Sequence, residues 1–258
     1  MGAGSLIDVQ EGAFTGGSHA NENWSANLSG LNVASGATFN GVEANVRVDA
    51  LTGSGTITSG YTGAGYQNFT FGVNDGSGTF SGSLTDSDTA AANFVKAGSG
   101  TQTLNGTSTY TGTTLVSAGT LLVNGELGNT AVTVSSSAVI GGSGLIAGSL
   151  NFGNGAMLTV SLTDPLFIAG LVSFDGFGFD DLINFDIETV SEGTYTLLSG
   201  SNFDLTNVEY VGLSNAYTRG DGKLAYFQNG SLQVVVIPEP STALLGALGL
   251  LALLRRRR

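Results

Sequence analysis

Apolar residues in this chain fall in short alternating runs rather than in long stripes. Thr101-Gln-Thr-Leu104, Thr120-Leu-Leu-Val123, Thr194-Tyr-Thr-Leu-Leu198 and Val208-Glu-Tyr-Val-Gly-Leu213 are examples, each bounded by Gly, Asn or Ser. Period-two runs of this length with turn formers at both ends predict β-strands. A small-Gly-small element punctuates them: Ala34-Ser-Gly-Ala-Thr38, Gly53-Ser-Gly-Thr56, Gly76-Ser-Gly-Thr79, Gly98-Ser-Gly-Thr101, Ser117-Ala-Gly-Thr120 and Gly142-Ser-Gly-Leu145. Its first residues are spaced by 19, 23, 22, 19 and 25 positions. Asn-Gly dipeptides at Asn105-Gly106 and Asn124-Gly125 close the strands that follow, and they read as corners needing positive φ.

A period near 22 residues holding two or three short strands fits one coil of a parallel β-helix. Like residues stack on like, and inward Leu, Val, Ile and Phe build a core that no single repeat could bury. Six such coils predict a rod of roughly 29 Å at the inter-strand spacing of roughly 4.8 Å. A β-sandwich also shows strands every 8–12 residues, but the same Gly pattern returning at one period favours the solenoid.

Val95 to Gly125, VKAGSGTQTLNGTSTYTGTTLVSAGTLLVNG, resembles the autotransporter-associated β-strand repeat. Lys96, Gly98, Gly100, Leu104, Gly106, Tyr110, Gly112, Gly119, Thr120 and Leu121 hold its pattern, and Thr113 stands where a second Gly is common. SSSAVIGGSGLIAG, Ser135 to Gly148, continues it. The resemblance implies a right-handed β-helix of the kind found in secreted passenger domains, and no particular activity.

The chain ends PEPSTALLGALGLLALLRRRR. Pro238-Glu239-Pro240 is stiff and extended, because proline fixes its own φ and disfavours helix in the residue before it. Ser241 to Leu254 is fourteen residues without a charge, seven of them leucine. As a helix it spans roughly 21 Å, against roughly 30 Å for a hydrocarbon core. Arg255, Arg256, Arg257 and Arg258 tip the expectation towards a short transmembrane helix with snorkelling arginines as a cytoplasmic stop. This tail resembles the PEP-CTERM sorting signal of Gram-negative bacteria. The resemblance implies an exosortase-type membrane protease as partner, membrane contact through the helix, passage through the inner membrane, and delivery to the cell surface or extracellular matrix. Such a tail also demands an export signal, and Met1 to Gln10 has neither a basic stretch nor an apolar run of seven; a start further upstream is expected.

Composition sharpens this reading. Cysteine is absent, so no disulfide framework exists. Residues 1–237 carry four basic residues (Arg47, Lys96, Arg219, Lys223) against nineteen acidic ones, a net charge of −15 that repels nucleic acid. His19 is the single histidine and lies in GGSHANEN, a solvated loop by its neighbours. Histidine-based catalysis is therefore not expected. Four scattered cations are too few for the basic cluster that polysaccharide lyases need. Paired carboxylates for glycoside hydrolysis remain open, although Asp180 and Asp181 would face opposite ways on a strand. Asp86, Asp88 and Asp180 are weak calcium candidates that match no known calcium loop. No cofactor is expected.

The expected architecture is all-β: N-terminal coils or a cap over 1–50, β-helix repeats over 51–162, a closing β region over 163–237 with a hairpin at Asn229-Gly230, and the tail over 238–258. The expected function is that of a non-enzymatic exported surface or matrix protein with an adhesive or surface-polysaccharide role. The alternative is a carbohydrate-active enzyme on a β-helix.

Overall fold

Each short alternating run forms one strand with every second side chain turned inward. In Thr101–Leu104, Gln102 and Leu104 are buried; in Thr120–Val123, Leu121 and Val123 are. The computed structural model describes residues 1–15, 24–61, 65–87 and 90–238. Successive coils pair in parallel and in register: Thr101 lies beside Thr120, and Thr120 beside Val139. The chain is a parallel β-solenoid.

One face is a nine-stranded sheet running from Leu6–Val9 to Leu182–Ile183. A second is eight-stranded, from Val46–Arg47 to Phe203–Asp204. The third is a four-stranded sheet, Ala13–Thr15 to Ser83–Asp86, followed by a five-stranded one, Thr107–Ser108 to Ser199–Gly200. Thr109 N–H donates to Leu84 O at 3.0 Å where these last two meet. On the same count nine strands give a rod of roughly 43 Å, longer than six coils predict, because pairing extends on both sides of the Gly-rich repeats. Residues 6–53 are less regular in sequence yet stack in the same register.

The core is one continuous column. Phe39, Phe69, Phe94 and Tyr110 follow one another with ring centroids 6.0, 5.6 and 4.4 Å apart. Phe152, Phe174 and Phe177 continue the theme near the C-terminal end. Such pairs each contribute about 1 kcal/mol beyond the area they bury. Tyr110 keeps its hydroxyl satisfied on Thr114 Oγ1 (2.5 Å), which itself meets Thr130 Oγ1 at 3.0 Å.

The Asn-Gly corners work differently from the expectation. Gly106 and Gly125 are not among the residues with positive φ. They belong to a column of glycines at one corner, Gly82, Gly106, Gly125 and Gly144, pressed against the coil before. A Cβ on Gly106 would sit 1.9 Å from Gly82 O, and one on Gly125 would sit 2.2 Å from Gly106 O. Close approach, not left-handed backbone, demands glycine there. At Gly230 the turn reading holds: its φ is +76°, between the antiparallel strands Leu224–Phe227 and Gln233–Ile237.

The solenoid ends under an antiparallel sheet of Gly193–Thr196, Gln233–Ile237, Leu224–Phe227 and Tyr217–Thr218. Its inward residues Ala225, Phe227, Val234 and Val236 are buried and join the core. One expectation needs correction. No helix among the described residues is long and apolar enough to cross a membrane. The apolar run Ser241–Leu254 lies outside the described residues and, at fourteen positions, is itself too short to span unaided. The transmembrane helix is therefore withdrawn from the fold.

Candidate functional site

Two features stand out at the capped end: the place where the sorting motif leaves the fold, and a cleft beside it. Strand Gln233–Ile237 is paired on both sides, with Gly193–Thr196 and with Leu224–Phe227. Pro238 follows at once and is exposed. The motif thus starts in solvent directly after an anchored strand. Glu239, Pro240, Arg255, Arg256, Arg257 and Arg258 lie outside the described residues, as do His19 and Asp88.

The cleft forms because the three faces of the solenoid stop at different points. The nine-stranded sheet ends at Leu182–Ile183, whereas the other two continue to Ser199–Gly200 and Phe203–Asp204. A single 3-10 turn, Phe179–Asp181, and the segment after Ile183 border the gap left by the missing strand. The cavity measures about 640 Å³. Phe179, Tyr210 and Tyr217 supply aromatic surface; Phe179 and Tyr210 stack at 5.2 Å, and Tyr217 meets both edge-on. Asp180, Asp181, Asp186, Glu188 and Glu209 supply carboxylates.

Glu188 and Asp186 are each fastened by two hydrogen bonds. Glu188 Oε1 accepts from Tyr217 Oη (2.6 Å) and Oε2 from Gly220 N–H (2.9 Å), which holds its carboxyl below the usual range. Asp186 accepts from Thr189 Oγ1 (2.8 Å) and Glu188 N–H (2.9 Å), with the same effect. Arg219 clips this segment to the cap. It is buried, donates to Val190 O (2.6 Å) and Glu188 O, and pairs with Asp221 at 3.3 Å.

Asp181 and Glu209 crowd one glycine. Asp181 Oδ2 accepts from Gly178 N–H at 2.8 Å, and Glu209 Oε2 lies 3.1 Å from where a Cβ of Gly178 would be. Burial raises the Asp181 pKa first; the Gly178 bond opposes this, and Asp180 and Glu209 add like-charge repulsion.

Of the calcium candidates, Asp86 and Asp180 lie apart in the fold, and Asp88 lies outside the described residues. Asp86 sits mid-rod at the end of strand Ser83–Asp86, far along the chain from Asp180 on the 3-10 turn. Both Asp86 oxygens are already used: Oδ1 accepts from Ala92 N–H (2.7 Å), and Oδ2 from Thr111 N–H (2.9 Å) and Oγ1 (2.8 Å). Among the described residues no three His, Cys, Asp or Glu side chains form a metal-holding group. Sequence reasoning passed over Glu188, Glu209, Tyr210 and Tyr217 as site residues. Their separation along the chain carries no periodic signal; only the Phe and Asp clustering between 174 and 186 hinted at this region.

Comparison with family models adds two matches: the passenger-associated-transport-repeat over residues 94–123, and the PEP-CTERM protein-sorting motif over residues 236–258. The chain carries both. The repeat model runs from within strand Asn93–Lys96 to the end of strand Thr120–Val123. The PEP-CTERM match begins inside the last strand of the cap. No curated protein and no solved structure matches the chain. The membrane contact and the inner-membrane stage expected from the tail are withdrawn with the helix that was to supply them.

Proposed function

We propose that this chain is a non-catalytic β-solenoid, exported and sorted through its PEP-CTERM motif by an exosortase-type enzyme, that serves as a scaffold at the cell surface or in the extracellular matrix. The motif's position carries the reading: its first residue, Pro238, is exposed and directly follows a strand paired on both sides, so a processing enzyme could reach that point without unfolding the rod. The body suits such a role. It is strongly acidic and built of stacked coils that share one core.

The carbohydrate-active alternative would gain from a cation beside the carboxylates. Arg47 lies in strand Val46–Arg47, and Lys96 is buried on backbone carbonyls, so neither lines the cleft. The test is fractionation of the native host expressing the full open reading frame, with the C-terminal mass determined by intact mass spectrometry. Surface or medium material lacking Arg255–Arg258 supports sorting and processing. Intact protein retained inside the cell overturns it.

A further inference from the structure

We propose that the cleft between the 3-10 turn Phe179–Asp181 and the antiparallel cap is a binding site for a glycan bearing free amino groups, with Tyr210 and Tyr217 stacking on sugar rings and Asp180, Asp181 and Glu209 receiving the ammonium and hydroxyl donors. The inference builds on the reading of the chain as a surface or matrix scaffold and names what that scaffold would hold.

Three independent features of the cleft support it. First, the volume of about 640 Å³ lies within the range of small-molecule sites. The cleft is a built gap, created where one sheet of the solenoid stops before the other two. Second, the aromatic surface is presented rather than hidden. Phe179 is buried and forms the base of a cluster with Tyr210 and Tyr217, whereas both tyrosines are only half-buried and line the opening. A flat ring with one accessible side is suited both to stacking on a sugar and to holding a cation over its face.

Third, the polar lining has one sign. Among the described residues no lysine or arginine lines the cavity, and Arg219, which holds the segment beside it, spends its guanidinium on Val190 O, Glu188 O and Asp221. Glycans carrying carboxylate, sulfate or phosphate would meet only repulsion. Asp181 and Glu209 also meet about Gly178, and burial first, then like charge from Asp180 and Glu209, raises the Asp181 pKa. A ligand ammonium relieves that repulsion, and a neutral sugar does not. Glu188 and Asp186 each have two internal donors and Asp181 has one, Gly178 N–H on Oδ2, which leaves Asp180, Glu209 and the Oδ1 atom of Asp181 to face the ligand.

The test uses the full chain and isothermal titration calorimetry with a β-1,4-linked glucosamine tetramer. Its fully N-acetylated counterpart and a tetra-arginine peptide are comparators. The amino tetramer is expected to bind saturably, and more tightly than the acetylated one by at least about tenfold, the scale of one charge-assisted hydrogen bond. Glu209→Gln preserves shape and should weaken binding on the order of tenfold with an unchanged unfolding midpoint. Tyr210→Ala should weaken both tetramers. No saturable binding, equal binding of the acetylated tetramer, or binding indifferent to Glu209→Gln would overturn the assignment. Tighter binding of tetra-arginine than of the amino tetramer would also overturn it, since the cleft would then read charge alone. These results leave the sorting proposal untouched, because it stands on localisation and C-terminal mass.

Discussion

Lys96 offers the sharpest test of how the rod is held together. Its side chain is fully buried at a corner of the solenoid, where Nζ donates to Ala97 O (2.6 Å), Gly98 O (2.9 Å) and Ala118 O (3.2 Å). Ala118 belongs to the next coil, so one ammonium ties two coils together. Burial pushes the Lys96 pKa down to about 8, against the opposing pull of Asp75 and Asp49. Lys96→Met keeps most of the stem and removes the charge. Three charge-assisted hydrogen bonds at about 2 kcal/mol each are lost. Relief of the burial penalty, about 3 kcal/mol for a shift of this size, offsets roughly half of that. The variant should be about 3 kcal/mol less stable at pH 7 in urea unfolding.

The pH dependence gives a second readout with a definite sign. The folded-state pKa of Lys96 lies below the unfolded value of 10.5. The unfolded chain therefore holds more protons between the two values, and stability rises with pH across that window. Wild type should gain about 1 kcal/mol between pH 7 and 9, and Lys96→Met should not show this gain. A variant as stable as wild type at pH 7 would refute the three-carbonyl tie. A gap that narrows as pH rises would refute the burial argument.

Gln102 is an inward amide that reaches past Gly78 to a strand two coils away, with Nε2 on Leu51 O (2.9 Å) and Oε1 accepting from Leu51 N–H (3.2 Å). Gln102→Leu should cost about 2 kcal/mol in urea unfolding by stranding those groups, and a neutral outcome would mean that water replaces the amide. Gly106→Ala should destabilise by about 3 kcal/mol, since its Cβ would stand 1.9 Å from Gly82 O; Gly2→Ala, with nothing nearby, should leave the midpoint unchanged. Asp186 and Glu188 both have folded pKa values held down by hydrogen bonds, so what they contribute is present above the ordinary carboxylate range and fades as pH falls through their lowered values. Hydrogen exchange at 186–190 should therefore accelerate in acid ahead of exchange in strand Thr120–Val123; simultaneous loss of both would show that the clip is not a separate unit.

What the sequence determined by itself is whatever repeats or is contiguous. The period near 22, the inward Leu and Val of Thr101–Leu104 and Thr120–Val123, the hairpin at Asn229-Gly230 and the Pro-Glu-Pro element could all be read without coordinates, because local spacing encodes them. What the fold decided depends on neighbours one coil away. Gly106 is required by Gly82 O and not by its own φ. Lys96 enters the sequence reading only as a position of the repeat and one of four basic residues, yet it is buried on three carbonyls, one of them 22 positions on. Asp86 resembles a loop ligand and serves instead as a staple to Thr111, 25 positions on. The cleft draws on residues from Asn154 to Tyr217. It exists only because one sheet ends before the other two, and the point where strand pairing stops is set by the stacking of whole coils.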